Sequence, residues 1–130
     1  EVDLTIGRVD ATSGSIGALV APFTKGPVEE AQLIESEEDL LQTFGQPYSV
    51  DKHYEYWMVA SSYLAYGGVM QVIRASDTGL KNAYVGILTT APLIKSETHY
   101  NQLGYDDNTI TGVTIAAKTP GSYANGIRVL

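Results

Sequence analysis

The sequence has no cysteine and few basic residues. It carries 8 Lys and Arg against 15 Asp and Glu, for a net charge of −7. The missing cysteines exclude disulfides and thiolate metal sites. The shortage of clustered positive charge argues against nucleic acid or an anionic membrane as a partner. No apolar run approaches the ~20 residues that a membrane-spanning helix needs.

The motifs that carry common chemistry are also missing. The chain contains no glycine-rich phosphate loop and no G-x-S-x-G nucleophile turn. His53 and His99 are the only histidines, too few for a histidine metal site. The segment 106–108 begins like a calcium loop but lacks its glycine and distal glutamate. We therefore expect no enzymatic activity, no cofactor and no bound metal.

The hydrophobic content is 44% and the length is 130 residues, which suits a packed core of about one domain. Val2, Leu4 and Ile6 alternate with polar residues, which predicts a half-buried strand. A Gly/Ser/Thr-rich connector follows, so this strand is either an edge of its own sheet or an arm that pairs with another chain. Both ends interrupt strand patterns, and we expect a fragment of a longer polypeptide.

The region 16–77 predicts an α/β unit. Ser15 to Phe23 is almost continuously apolar, as in a strand buried on both faces, and Pro22 should lie at its end. "AQLIE" predicts a short second strand at most. "VMQVIRA" predicts an interior strand with Met70, Val72 and Arg74 on one side.

Two helices are expected between these strands. The first begins at the N-cap Ser36, carries Leu40, Leu41 and Phe44 as an apolar stripe, and ends at Gly45 before Pro47. The second is capped by Asp51 and ends at Gly67 and Gly68. Its expected buried residues follow the spacing of one helix face: Tyr56, Val59, Ala60, Tyr63 and Leu64, with Trp57 beside them.

Beyond residue 77 the sequence becomes more polar. "VTIAAK" predicts a strand, "TPGS" a tight turn and "GIRVL" the start of another strand, with loops or short strands before them. The predicted fold is therefore α/β, a mixed sheet with two packed helices, followed by the start of a β-rich part. The predicted organisation is an arm and linker over 1–15, the α/β unit over 16–77, and a linker with the β-rich start over 78–130.

An acidic segment separates Lys25 from Lys52, with no basic residue between them. Solvation and helix capping explain it in the simplest case. The alternative is a contact with a basic surface of a partner. The candidate residues are Glu29, Glu30, Glu37 and Glu38.

Together, these motifs resemble the amino-terminal part of tail sheath proteins from contractile bacteriophages and related contractile injection machines. The similarity lies in "GALVAPFTKGPVEEAQLIESEEDLLQTFGQP", "YLAYGGVMQVIRA" and "AAKTPGSYANGIRV", in that order. Ala21 replaces a glycine of the family pattern, and Tyr63 and Tyr123 replace its Phe and Trp. The principal motif residues are Phe44, Gly45, Pro47, Gly67, Gly68, Arg74, Pro120, Gly121 and Asn125.

The resemblance implies structural work. Sheath subunits stack as rings around a tail tube and drive it through a cell envelope when they contract, with the energy stored in assembly. The implied partners are other copies of the chain, a tail tube protein, and baseplate or tail terminator proteins. The implied location is the virion tail, assembled in the host bacterial cytoplasm. Terminal arms link sheath subunits, and the resemblance gives Val2, Leu4 and Ile6 that role.

Two other classes remain open on the sequence. An acidic cell-surface adhesion or carbohydrate-binding module would share the tyrosine content and the lack of cysteine, but would bind glycans as a monomer. A fragment of an α/β enzyme would need a polar cluster at the carboxyl ends of its strands. The sequence offers no such cluster.

Overall fold

The structure is a computed structural model that describes residues 16–47, 54–105 and 112–130. Several predictions lie outside these ranges: the strand of Val2, Leu4 and Ile6, the cap Asp51, His53 and the segment 106–108. The elements, in chain order, are β1 (Ile16–Ala21), β2 (Ala31–Ile34), α1 (Glu37–Phe44), α2 (Tyr54–Ala65), β3 (Val69–Arg74), β4 (Tyr84–Gly86), α3 (Glu97–Gln102) and β5 (Val113–Ala116).

The first sheet has three strands in the order β1–β3–β2. β3 is central, parallel to β1 and antiparallel to β2. The prediction of an interior strand over "VMQVIRA" is confirmed, with Met70, Val72 and Arg74 buried on one face. The two helices pack on that same face, so the predicted α/β class with a mixed sheet is also confirmed.

The expectation that β1 is buried on both faces is wrong. β1 is an edge strand, and Ile16 and Val20 are 57% and 64% exposed. Leu19 and Ala21, on the other face, pack against the core. The strand is apolar on both sides, yet only one side is covered within the described residues. Pro22 does follow the last residue of the strand, as expected.

Helix α1 begins and ends as its sequence predicts. The Ser36 hydroxyl accepts a hydrogen bond from the backbone N–H of Asp39 at 3.1 Å. Leu40 and Phe44 are fully buried one turn apart. Gly45 adopts φ = 75° and donates its N–H to the Leu41 carbonyl at 2.9 Å. The left-handed conformation explains the glycine at the end of the helix.

The predicted buried face of α2 is partly wrong. Trp57, Ala60, Ser61 and Leu64 are buried, whereas Val59 is 61% exposed. At about 100° per residue, Val59 points away from the side that contains Trp57 and Leu64. Tyr56 and Tyr63 pack at the edge of the buried face. The helix is apolar on more than one side, so spacing alone did not identify the side that meets the sheet.

Aromatic contacts connect the helices to the turn after β1. The rings of Phe23 and Phe44 lie 4.6 Å apart, and Tyr56 meets Phe23 edge-on at 5.4 Å. The Tyr56 hydroxyl donates to the Pro22 carbonyl at 3.1 Å. The indole N–H of Trp57 donates to the carbonyl of Gly45 at 3.1 Å. Each polar group on these large side chains therefore has an acceptor on the neighbouring segment.

The later part of the chain contains an antiparallel pair, β4 and β5, and the short helix α3. The β5 prediction is confirmed. Helix α3 was missed, although Ser96 caps it by accepting from the N–H of His99 at 3.2 Å. The predicted strand over "GIRVL" is wrong, because residues 127–130 have no strand partner among the described residues. Within those residues, no helix is long and apolar enough to cross a bilayer.

Gly67→Val is expected to lower the free energy of unfolding by about 1–2 kcal/mol, because Gly67 has φ = 80° and left-handed backbone is costly for residues with a Cβ. An added Cβ there would meet no atom within 4 Å, so the effect is conformational. Gly79 is equally open but lies outside that region, and Gly79→Val is the matched control. Chemical denaturation of both variants measures the difference; equal stabilities would contradict the assignment.

Gly68 serves a different purpose from Gly67. Its φ lies outside the left-handed region, but a Cβ at this position would lie 2.4 Å from the Tyr63 ring. The same ring lies 3.0 Å from a Cβ built at Gly17. Tyr63 thus lies over two glycines, one in β1 and one just before β3. Gly45 and Gly67, at which the sequence predicts the ends of the two helices, both have a positive φ.

Candidate functional site

Segments from the turn after β1, from β3 and from the later turn meet at Arg74. Its side chain is 2% exposed. Nη1 donates to the carbonyls of Gly26 at 2.8 Å and Pro120 at 2.6 Å. Nη2 donates to the carbonyl of Thr24 at 3.3 Å. We call Thr24, Gly26, Arg74, Pro120 and Gly121 the Arg74 junction. The sequence motifs were recognised separately, and the structure brings them together here.

The Arg74 junction holds a buried positive charge with carbonyl dipoles. Burial lowers the pKa of Arg74 below its usual value, and the charge interaction with Tyr123 acts in the opposite direction. The buried guanidinium remains charged because the normal pKa of arginine is so high. The Nε–H of Arg74 has no acceptor among the described residues. The guanidinium therefore acts as a fixed fork that joins loops distant in sequence.

Gly121 and Gly26 make this close approach possible. Gly121 has φ = 139°, and a Cβ there would lie 2.6 Å from the Thr24 carbonyl oxygen. Gly26 has φ = 101°, and its Cβ would lie 2.7 Å from the carbonyl oxygen of Thr43. Side chains at either position would push the loops apart. Asn125 ends the short 3₁₀ turn over Ser122–Ala124, where its N–H donates to the Ser122 carbonyl at 3.0 Å.

A second buried polar residue organises the later part of the chain. The side-chain amide of Asn82 donates to the carbonyls of Ile94 at 3.0 Å and Ala117 at 2.8 Å, and its oxygen accepts from the Ile94 N–H at 2.7 Å. Asn82 is 1% exposed. No sequence pattern indicates this role, because a single Asn in a polar stretch also suits a turn.

The Arg74 junction and Asn82 are linked through backbone. The N–H of Gly121 donates to the carbonyl of Lys81, next to Asn82, at 3.0 Å. Val28 donates its N–H to the Lys95 carbonyl at 2.9 Å. The Val28–Lys95 bond and the Arg74–Pro120 bond tie the later part of the chain to the α/β unit, whereas the Gly121–Lys81 bond lies within the later part.

The acidic candidates lie on the surface, but some of their carboxylates already have partners within the chain. Glu29 pairs with Lys95, and hydrogen bonds from Lys95 and Ser76 hold the pKa of its carboxyl below the usual value. Glu29 also has φ = 60°, which is rare for a residue other than glycine. Glu30 accepts from the Gln32 side chain at 3.2 Å. The intrachain cation at Lys95 was not foreseen from the sequence.

The other two acids, Glu37 and Glu38, are exposed in the first turn of α1. Negative charge there interacts favourably with the helix dipole. Glu38 accepts from the Gln42 side chain one turn later at 3.2 Å. These residues suit solvation and capping, and they remain available to a basic partner. The assignment of an acidic interface stays a prediction.

Charge reversal tests that prediction. Glu30→Lys combined with Glu38→Lys is expected to leave the fold intact, because neither side chain is buried. If the acids meet a basic surface, assembly of the variant weakens and assembly of the unchanged protein depends on salt over the Debye range. Light scattering at several salt concentrations measures both effects. Normal assembly of the variant would leave only the solvation explanation.

No metal-binding or acid–base constellation is visible in the described residues. No group of three or more His, Asp or Glu side chains converges there. The δ nitrogen of His99 accepts from the N–H of Lys95 at 3.1 Å, within the turn before α3. An open cleft of about 860 Å³ lies between the β4–β5 pair and residues 121–129, and its lining contains no Asp, Glu or His. The expectation of a non-enzymatic protein stays a prediction.

Comparison with known proteins gives one relation. No protein-family profile matches the chain. Over 65 residues, half of the chain, the sequence is 37% identical to the tail sheath protein of Enterobacteria phage T4. The aligned region is only 10% of that protein's length. Half of this chain is therefore similar to a small part of a phage tail sheath protein.

Proposed function

We propose that the protein is a structural subunit of a contractile tail sheath. In this role it polymerises as stacked rings around a tail tube and drives the tube through a cell envelope on contraction. The observation that carries the proposal is the 37% identity to the T4 tail sheath protein over half of the chain. The order of the sequence motifs and their meeting at the Arg74 junction support it.

A sheath subunit must transmit force through its own fold without coming apart. The Arg74 junction suits this requirement because one side chain joins loops that are 48 and 46 residues away in sequence. The Val28 N–H, which donates to the Lys95 carbonyl, adds a further link between the two parts. On this proposal the motif residues maintain the fold of the subunit when force acts on it. The energy of contraction comes from the contacts between subunits.

The proposed links between subunits are terminal arms. The alternating segment Val2, Leu4 and Ile6 precedes a Gly/Ser/Thr-rich connector that leads to β1. A sheet edge exposes unpaired backbone donors and acceptors, which can recruit a strand from another chain. β1 and β2 are both edges of the described sheet. Gly/Ser-rich composition is typical of linkers that tolerate rearrangement of the parts they join, so such a link would survive a change of the lattice.

The proposed partners are other copies of the chain, a tail tube protein, and baseplate or tail terminator proteins. The proposed location is the virion tail, after assembly in the host cytoplasm. Co-expression of the full-length protein with its tail tube protein tests the proposal. We expect both proteins to sediment together as large particles. If the full-length protein remains a monomer with the tube protein present, and instead binds glycans, the adhesion alternative replaces the sheath proposal.

A further inference from the structure

Residues 127–129 alternate as a strand does, although they pair with no strand among the described residues. Ile127 and Val129 line the open cleft beside the β4–β5 pair, whereas Arg128, between them, does not. Ile127 is 68% exposed and Val129 is 60% exposed. Within the described residues, the backbone groups of Arg128 and Val129 have no backbone hydrogen-bond partner. Unpaired backbone groups beside exposed apolar side chains can recruit a strand from elsewhere.

The other wall of the cleft is also apolar. Val85 on β4 and Ile115 on β5 are cross-strand partners, so both lie on one face of this pair. Both residues line the cleft, and they are 60% and 43% exposed. A strand that paired with residues 127–129 would therefore cover apolar side chains of both walls. The side of that strand toward the cleft should itself be apolar.

The amino-terminal segment, residues 1–6, has the matching alternation. Its aliphatic residues occupy every second position and are Val2, Leu4 and Ile6, and its acids are Glu1 and Asp3. In paired strands, residues on the same side of the sheet are neighbours. If the aliphatic residues point toward the cleft, Asp3 lies on the same side as Arg128. No carboxylate of the described residues lies within ion-pair distance of Arg128.

The edges of the three-stranded sheet match this segment less well. β1 and β2 are both edges, but neither contains a basic residue. β2 directly follows Glu29 and Glu30, whose charges would repel an acidic strand. Residues 127–129 instead combine two apolar side chains with one cation, beside a cleft whose lining contains no Asp, Glu or His. The charge pattern therefore favours residues 127–129 over the sheet edges.

The position of β1 favours a segment from a second copy. β1 is parallel to β3, with Ile16 paired to Val69 at one end and Ala21 paired to Arg74 at the other. The start of β1 therefore lies about 17 Å from the end that carries the Arg74 junction, and the cleft adjoins that junction. Within one copy, the connector 7–15 would have to double back over this length and past the junction. Gly/Ser-rich linkers of this length typically span only about 15–18 Å.

We propose that residues 1–6 of one copy pair as a β-strand with residues 127–129 of a neighbouring copy. The aliphatic side chains enter the cleft, and Asp3 lies beside Arg128. Each copy then gives a segment at one place and receives one at another, so the contact is head-to-tail and generates a ring or a helical array. The inference deepens the sheath proposal and rests on it for the existence of that array.

Cysteine cross-linking tests the contact directly, because residues 1–130 contain no cysteine. Thr5→Cys and Arg128→Cys both lie on the polar side of the proposed pair, so the apolar contacts remain. Full-length copies with either substitution carry different affinity tags and are mixed with a short bismaleimide. We expect covalent dimers that carry both tags, and a ladder of oligomers from the double variant. In the control, the exposed Thr98→Cys on α3 replaces Arg128→Cys and gives no mixed dimers.

The remaining outcomes separate this contact from the sheath proposal. A double variant that cross-links only within single chains would place the segment in the cleft of its own copy and overturn the inference. Tubes in which positions 5 and 128 do not cross-link would reject this contact and leave the sheath proposal standing. Mixed dimers of a protein that forms no rings or tubes would support the contact and reject the sheath proposal. Absence of both cross-links and tubes would reject both.

An exchange of charges provides an independent measurement. Arg128→Asp is expected to raise the concentration needed for assembly about tenfold, because it places two acids side by side. Reversal is used because the loss of one exposed partner changes little. The double variant Asp3→Arg with Arg128→Asp should restore assembly. The melting temperatures of the monomers should match, since Arg128 is exposed. A double variant that assembles as poorly as Arg128→Asp alone would contradict the pairing.

Discussion

Replacing Arg74 with Met is expected to lower the free energy of unfolding by about 3 kcal/mol. The substitution leaves the buried carbonyls of Gly26 and Pro120 without their charged donor, and each such loss costs about 1–3 kcal/mol. Relief of the buried charge offsets only part of this cost, because the guanidinium is held by several acceptors. Chemical denaturation at equilibrium measures the difference.

Further measurements separate the Arg74 junction from a general loss of packing. Arg74→Lys is expected to be intermediate, because an ammonium group lacks the planar fork that reaches several carbonyls at once. Lys118→Met is the control, since Lys118 is exposed. In Arg74→Met, backbone hydrogen exchange is expected to speed up at Gly121, whose N–H donates to the Lys81 carbonyl. Exchange in α1 should speed up later than at Gly121. Unchanged stability and exchange in Arg74→Met would show that the junction is not structural.

Deleting residues 1–6 is expected to leave the free energy of unfolding nearly unchanged while it abolishes or weakens polymerisation. The reason comes from the sequence. About ten residues separate the alternating segment from β1, whereas strands within one compact sheet are more often joined by about 2–5 residues. A segment tethered in this way is suited to pairing with another copy. Sedimentation of the assembled protein measures the loss, and thermal unfolding of the monomer measures the stability.

Single substitutions refine the test of the arm. Leu4→Pro should reproduce the deletion, because it removes a backbone donor together with an apolar side chain. Asp3→Ala is the matched control, since Asp3 lies on the polar side of the alternating pattern. If the deletion unfolds the monomer, the strand belongs to its own sheet and the arm proposal is wrong.

Local signals were sufficient to predict α1 and the centre of the sheet. Ser36, the acids of the first turn, and Gly45 all act within a few residues, so their effects can be read without knowing the fold. The apolar run of β3 correctly indicated a central strand. Helix α1 depends on short-range chemistry, and β3 is covered by a neighbouring strand on each side. Both situations produce recognisable residue patterns in the sequence.

The errors arose where burial depends on what lies across the fold. Val59 and the outward residues of β1 are apolar yet exposed. Their spacing is that of core residues, so sequence reasoning assigned them to the core.

Three of the five residues of the Arg74 junction were selected from the sequence, but their arrangement was not predicted. Arg74, Pro120 and Gly121 were selected by resemblance, with no indication that they touch. Arg74 and Pro120 are more than forty residues apart in sequence. No local pattern indicates that the chain returns to bring them into contact. Asn82 and the Lys95 partner of Glu29 were missed for the same reason. Such residues lie in polar segments and are distinguished only by burial or by their partners.

Electron microscopy of the full-length protein tests the central claim most directly. The sheath proposal predicts tubes of stacked rings with a hollow channel wide enough for a tail tube, formed without any nucleotide. It also predicts that such tubes are absent after deletion of residues 1–6. Dispersed monomers at concentrations where the protein is fully folded, with no rings or tubes under any salt condition, would contradict the account.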